Sequence, residues 1–303
     1  TCAQARDFLS QAMNQQEPWC CFVSVIEPHD PFVCNEAYYR LYDPAKLALP
    51  PNFADDLADK PGLYRKCAAI FADLSDQEKR EAMACYYAMI SEIDAEYGKL
   101  LDQVAAAGQL DNTLVVLTSD HGEHLGAHGL YMKNIGAFEE AFVIPMVLSG
   151  PGLPHGATAD ARVGLHDLCQ TLLELAGCPT FAVPDSRSFV PLLRDPEGEA
   201  PKFQTGYAEY EGTRYKHTQR VAWNGPWKLV WNGFDYDEFY NLAEDPWEMR
   251  NRLHDPTCQA ELAATMAVAW QAVRATKDHS LLNAGYPCLR LAPIGPEGVA
   301  SAQ

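Results

Sequence analysis

Three continuous apolar runs punctuate the first half of the 303-residue chain: "PWCCFVSVI" at 18–26, "NTLVVLTS" at 112–119 and "IPMVLSG" at 144–150. Each is short and bounded by turn residues, the pattern of a strand buried in a sheet. Between the first two, Tyr86, Ile90, Ile93, Tyr97, Leu100, Leu101 and Val104 recur at spacings of three and four. That period predicts a long amphipathic helix. Ser75 and Glu78 form the S-x-x-E start signal, and Gly108 supplies a stop. Residues 43–66 are rich in Pro and Asp and read as loop. "VGLHDLCQTLLELAG" reads as a helix closed by Gly177, and "ELAATMAVAWQAVRATK" as a closing helix before an irregular tail beyond Leu282. The texture changes near residue 203. Short apolar stretches broken at Asn224-Gly225 and Asn232-Gly233 predict an antiparallel meander. Strands alternating with helices, then a meander, predict an α/β fold with a mainly parallel sheet flanked by helices and a small C-terminal antiparallel subdomain. The boundary is placed at 200, giving units 1–200 and 201–303.

Composition narrows the function classes. The chain is 48% hydrophobic and carries 23 basic against 41 acidic side chains, a net charge of −18. Such a protein is a poor ligand for nucleic acid or an anionic membrane. An anionic substrate would have to be attracted locally, by a metal or a few placed cations. No run approaches the roughly 20 apolar residues of a membrane span. The ten cysteines are scattered without a C-x-x-C pair. Several lie in apolar runs, so they are expected to be small buried hydrophobes, with disulfides an open alternative.

The candidate chemistry follows two of the strands. Ligands in open α/β sheets gather outside the carboxyl ends of strands. "EPHDPF" places Glu27, His29 and Asp30 at one such end; "TSDHGEHLGAHGLYMK", 118–133, places Asp120 and His121 at another. A carboxylate beside a neutral imidazole suits a divalent cation. His121, His124 and His128 also read as H-x2-H-x3-H, a zinc face if helical. Gly122, Gly126 and Gly129 argue against a helix there, so His124 and His128 are expected to pack within the loop. Lys133 is a point charge suited to an anion oxygen. His29, between two prolines, could donate to an anion or protonate a leaving group. Tyr207, Tyr210, Tyr215, Trp223 and Trp227 could form a sugar platform; a small core is the preferred reading. Tyr240 and Trp247 read as packing residues.

In sequence order these segments resemble the sulfatase family of the alkaline-phosphatase-like superfamily. "FVSVIEPHDPF" resembles its strand and Pro-His-x-Pro; "LVVLTSDHGEHLGAHGLYMK" its Ser-Asp-His-Gly to Lys signature; "EEAFVIPMVLSGPGLPHG" and "LHDLCQTLLELAG" the segments after it. "WKLVWNGFDYDEFYNLAEDPWEMRNRL" resembles its C-terminal segment. The resemblance implies hydrolysis of sulfuric esters. Asp120 and His121 would ligate a divalent metal, calcium, or manganese if the chain were instead a phosphonate hydrolase. Lys133 and His29 would act on the sulfate and its ester oxygen. His217 and Arg220, in "KHTQR", could line the substrate pocket. The implied partner is a sulfated small molecule or carbohydrate.

The family's nucleophile, a formylglycine made from Cys in C-x-P/A-x-R, has no match. "CAQAR" at Cys2 has Gln4 at its third position, and the family's aspartate pair is also missing. The chain therefore resembles the C-terminal portion of a sulfatase, incomplete at the N-terminus. It is expected to lack turnover without the missing N-terminal portion, and its exposed sheet edge should make it poorly soluble alone. Two other readings stay open: a phosphonate or phosphate ester hydrolase of the same superfamily, and a non-catalytic anion- or sugar-binding remnant.

Overall fold

A computed structural model describes residues 1–133, 135–183, 185–212, 217–233 and 235–282. Tyr215, Cys288 and the tail beyond Leu282 lie outside the described residues. The helices are α1 (Cys2–Ala12), α2 (Glu36–Tyr39), α3 (Gly62–Ala68), α4 (Asp76–Ala106), α5 (Glu139–Phe142), α6 (Leu165–Leu175), α7 (Val190–Arg194), α8 (Pro196–Glu199), α9 (Gln259–Ala275) and α10 (His279–Leu282). The strands are β1 (Val115–Thr118), β2 (Met146–Ser149), β3 (Thr205–Tyr210), β4 (Gln219–Asn224), β5 (Trp227–Asn232) and β6 (Glu238–Asn241).

Helix α4 starts where the sequence says. Ser75 Oγ accepts from the Glu78 N–H at 3.2 Å, and Glu78 Oε2 accepts from the Ser75 N–H at 2.7 Å. Two donors of the first turn are thereby satisfied. Its buried face differs from the predicted stripe. Met83, Ala84, Ala88 and Met89 are buried in the first half, while Ile90 and Leu101 are exposed. The helix packs on α2 and the 44–46 turn early in its length and on α1 late, so the covered face rotates along it. Leu100 and Val104 close over Ala5 and Leu9 of α1. The 43–66 segment is loop as expected up to Gly62, where α3 begins.

The sheet prediction needs correction. Among the described residues the strands form two sheets, both antiparallel: β1 with β2, and β3-β4-β5-β6 as a meander. β1 and β2 pair Val115 with Ser149 through Thr118 with Met146. "PWCCFVSVI" runs without ladder pairing. Its alternation is still used on one side: Trp19, Cys21 and Val23 pack against the α1–α4 cluster, while Phe22 and Ile26 are 90% and 81% exposed. The pattern encoded a strand-like segment, and the ladder neighbour it requires is not among the described residues. Leu117 and Val147 likewise leave one face of the β1–β2 pair open, while Leu148 and Met146 pack with Phe189, Leu192 and Phe203 on the other.

The meander forms as predicted, with Gly225 at positive φ in its first tight turn. Ala222, Leu229, Trp231 and Phe239 face Leu262, Met266, Ala269 and Trp270 of α9 in the largest core. The aromatic residues fall mainly to packing. Trp223 is buried, and Trp227 stacks on Phe239 with centroids 4.9 Å apart. Tyr240 is fully buried, but Trp247 is 44% exposed and is not the packing residue expected. The cysteine expectation also fails in part. Of nine described cysteines, Cys67 and Cys258 are buried and Cys20, Cys169 and Cys178 are exposed. Exposure follows from position: Cys169 and Cys178 sit on and just beyond the solvent side of α6.

Candidate anion and metal site

The two strand-end loops do meet. The Lys133 ammonium contacts His29 Nε2 and lies 3.2 Å from Asp30 Oδ1, about a hundred positions away in sequence. The His29 and His121 ring centroids are 6.4 Å apart. His29 Nδ1 lies 2.6 Å from the Asp30 carbonyl, so Nδ1 carries the proton and Nε2 faces Lys133 as acceptor. Burial works to raise the Asp30 carboxyl, but the hydrogen bond and charge of Lys133 outweigh it and hold it below its ordinary value. The result is an ammonium, an imidazole and a carboxylate converging at a surface that is half open: Lys133 is 14% exposed and His29 41%.

A tightly folded loop carries Lys133 there. Glu123 accepts from the backbone N–H of Leu125 and of Met132, cross-linking the start and end of the loop. His124 N–H bonds to Met132 O and Gly126 N–H to Leu130 O. The loop is held from outside as well. Gly122 N–H and Glu123 N–H bond to the carbonyls of Ala141 and Glu140. A Cβ at Gly122 would stand 1.9 Å from Glu140 O. Glycine is therefore required for close backbone approach, and not for positive φ as a sharp turn would need.

His124 and His128 are packed within the loop as expected. His124 Nε2 donates to Ile135 O at 2.7 Å, and full burial pushes the imidazole down to about 3, so it is neutral. His128 donates from Nδ1 to Asp55 at 2.7 Å, accepts from Asn52 at 2.9 Å and stacks on Phe138. Asp55 in turn meets the buried Lys60 at 3.1 Å. No local pattern marks Asn52, Asp55 or Lys60 as partners of this loop. They lie in a Pro- and Asp-rich loop whose composition reads as solvent-exposed.

For a metal, the donors are incomplete. His121 Nδ1 is oriented on Gly122 O at 2.8 Å, which frees Nε2, 3.7 Å from Asp120 Oδ2. That pair suits two adjoining positions around one cation. Among the described residues, no group of three or more His, Cys, Asp or Glu is arranged to hold a metal. Calcium takes six to eight oxygens, so Asp120 and His121 by themselves do not constitute its site. The Asp120 side chain is 84% exposed. Glu27, also offered by the first loop, is exposed.

Arg220 and His217 sit in different surroundings. Arg220 is 3% exposed and donates to Asp278 at 2.7 Å and Glu211 at 2.6 Å, joining the meander to the end of α9. His217 is buried beside Tyr210, ring centroids 5.0 Å apart.

Comparison with known proteins bears on the family and the fold. A family model described as Sulfatase matches residues 1–178, and one described as N-sulphoglucosamine sulphohydrolase, C-terminal, matches residues 126–276. A choline-sulfatase of Rhizobium meliloti (strain 1021) is 30% identical over 261 residues, covering 84% of this chain and 50% of that protein. The chain spans about half the length of curated relatives it matches. Among solved structures, a protein bound to its substrate D-glucosamine-2-N,6-O-disulfate superposes with a TM-score of 0.80 at 18% identity, over 91% of this chain and 70% of that one. A phosphonate monoester hydrolase of Agrobacterium radiobacter superposes at 0.75 with 25% identity, over 91% and 60%. These likenesses show the fold of the alkaline-phosphatase-like superfamily. No described helix is long and apolar enough to cross a membrane.

Proposed function

The chain belongs to the sulfatase family, and from that premise we propose that it supplies the anion-binding and leaving-group half of a sulfuric-ester hydrolase. The observation that carries the reading is the meeting of Lys133, His29 and Asp30 beside His121. In a protein of net charge −18, Lys133 is the cation placed to receive a sulfate oxygen. Asp30 keeps its ammonium in position until the anion arrives. His29, fixed through Nδ1, points Nε2 at the same spot; once protonated there, it gives that proton to the departing ester oxygen. Asp120 and His121 would hold part of a divalent ion, calcium by preference, which when bound would polarise the ester and offset its charge.

The nucleophile and the remaining metal ligands are assigned to polypeptide outside these 303 residues. The open side of β1–β2, where Leu117 and Val147 are exposed, and the 18–26 segment, where Phe22 and Ile26 are exposed without a ladder neighbour among the described residues, support that assignment, since each leaves apolar side chains for further polypeptide to cover. His217 and Arg220 are retained only as supports of the substrate side, because the Arg220 charge is already met by carboxylates. The substrate proposed is a sulfated small molecule or carbohydrate, in keeping with the disulfated glucosamine held by the structural relative.

A second reading has an observation of its own: the phosphonate monoester hydrolase superposes at the higher identity of the two structures. It predicts manganese and phosphonate ester turnover. Aryl sulfate and aryl phosphonate hydrolysis, measured with calcium and with manganese, separates the two. The assay compares this chain with the product read from the first in-frame start codon upstream of Thr1. Sulfate turnover by the longer product, lost on Lys133→Ala without unfolding, is the expected result. Robust turnover by the 303-residue chain alone would sink the divided-site reading. Sulfate binding without turnover by either product would leave only a binding remnant.

A further inference from the structure

The loop that ends at Lys133 also borders a cleft. Gly129 and Tyr131 of that loop line it together with residues of the 53–57 segment, α3 and the turn after it, and Lys79 of α4. Its volume is about 350 Å³, the small end of the range for ligand pockets. None of His29, Asp30, His121 and Lys133 lines it. The lining includes Phe53 and Phe71, and the Phe71 ring tilts against Tyr131 with centroids 4.9 Å apart. Two polar groups of the cleft are left unsatisfied. Lys79 is only 8% exposed. Its ammonium stands over the Phe53 ring, 4.8 Å from the centroid. The carboxylate it meets, Asp76, is 3.7 Å away and itself 64% exposed. The Tyr131 hydroxyl is buried with no hydrogen-bond partner. A Cβ at Gly126 would meet Tyr131 Oη at 3.4 Å and Phe53 Cδ2 at 3.7 Å. The hydroxyl and the ammonium therefore both lie beside the Phe53 ring.

A nearly buried ammonium and a buried hydroxyl that lack an acceptor are each costly. A group with two anionic oxygens satisfies both. The carboxylates already in the cleft do not fill that role. Asp55 is taken by His128 at 2.7 Å and by Lys60 at 3.1 Å. Asp56 is exposed and accepts from the Ala58 N–H at 2.9 Å. Arg65 adds a second positive charge. It is exposed, makes no ion pair among the described residues, and gives Nη1 to the carbonyls of Leu57 and Lys60 at 2.5 and 3.2 Å. We propose that this cleft binds a small aromatic carboxylate, its ring against Phe53 and Phe71 and its carboxylate on Lys79 Nζ and Tyr131 Oη. The aromatic lining suits a flat apolar body, and the two donors suit the carboxylate. Burial pushes the Tyr131 hydroxyl up to about 12, so it is a donor at neutral pH. The site is independent of which ester the protein hydrolyses, because no side chain of the anion site lines it.

The test is titration of the intact 303-residue chain with 4-fluorophenylacetate, followed by fluorine NMR. The expected result is a saturable shift. Affinity should fall about tenfold in Lys79→Met and about fivefold in Tyr131→Phe, the loss of a hydrogen bond to a charged group. It should be unchanged in Lys133→Ala, which removes the cation of the anion site. The neutral 4-fluorophenylacetamide should bind the unmutated chain about tenfold more weakly than the acid. That comparison needs no substitution, so it keeps the test valid even if a variant folds poorly. The proposal is overturned if no saturable shift is seen, or if acid and amide bind equally. Full affinity in either Lys79→Met or Tyr131→Phe also overturns it. Loss of binding in a folded Lys133→Ala would assign the carboxylate to the anion site and overturn it as well.

Discussion

Lys133 controls the state of its neighbour. Because its ammonium holds the Asp30 carboxyl below the ordinary value, Lys133→Ala should raise the Asp30 midpoint, read by NMR titration of the carboxyl carbon. An unchanged midpoint would mean the contact does not persist in solution. The same variant should abolish sulfate binding by calorimetry. Gly122 works differently, by being small. A methyl group 1.9 Å from Glu140 O cannot be accommodated without moving backbone. Gly122→Ala should therefore cost about 3 kcal/mol in urea unfolding, well above an ordinary surface Gly→Ala change. At this scale, Asp120, His121 and Lys133 were recognisable as chemistry-bearing residues in a glycine-rich stretch. That Asp30 pairs with Lys133, and that Asn52 and Asp55 hold His128, depends on contacts between distant loops and leaves no local signal.

The joint between α5 and the meander is a buried ionic cluster. Lys228, fully buried on β5, lies 2.8 Å from both Glu139 and Glu248, and Trp223 Nε1 donates to Glu139 at 3.0 Å. Removing the cation by Lys228→Met would leave two carboxylates buried together and should cost about 3–5 kcal/mol. The cluster also sets a pH dependence. Burial pushes Glu248 up to about 7, above its ordinary 4.5, with Glu139 adding to it. A carboxyl raised on folding takes its proton more readily in the folded state. Its contribution is thus fully present below about pH 4.5 and is lost as pH rises through about 7. Glu248→Gln should flatten that decline, which is about 3 kcal/mol at most. Stability curves at several pH values between these limits check it; a slope unchanged by the substitution would show that Glu248 does not titrate there. The elements themselves were largely readable: the capping box, the Asn-Gly turns and the period of α9 each named a helix or strand that forms. The buried ionic cluster was not, since Glu139, Lys228 and Glu248 are far apart in sequence and read as surface charges.

Among the described residues, several large apolar side chains stay uncovered. Phe22, Ile26, Leu117, Val143 and Val147 are between 46% and 90% exposed, and Leu117 and Val147 are ladder partners on one face of the β1–β2 pair. The chain alone should bind an apolar dye such as anilinonaphthalene sulfonate and self-associate as its concentration rises. Leu117→Lys with Val147→Lys should reduce both while shifting the melting temperature by no more than about 2 °C, because side chains on an exposed face contribute little packing. A large drop in melting temperature instead would show that this face is buried in solution. A mainly parallel sheet was expected from strands alternating with helices; two small antiparallel ones are found. "PWCCFVSVI" has the composition of a central strand, but a ladder needs a neighbour, and hydrogen-bond partners are not written in the strand itself.

The sequence by itself determined most of the local elements, the family and the residue types of the candidate anion site. Capping, turn chemistry and apolar period act within a few residues, and the Asp-His-Gly to Lys spacing is contiguous. Tertiary structure alone decided what pairs with what. It set Lys133 on His29 and Asp30, Asp55 on His128, and Lys228 between two glutamates. It also decided which side of 18–26 and of β1–β2 is covered. Those outcomes depend on where the backbone brings distant segments and on the burial that strengthens or penalises each charge there.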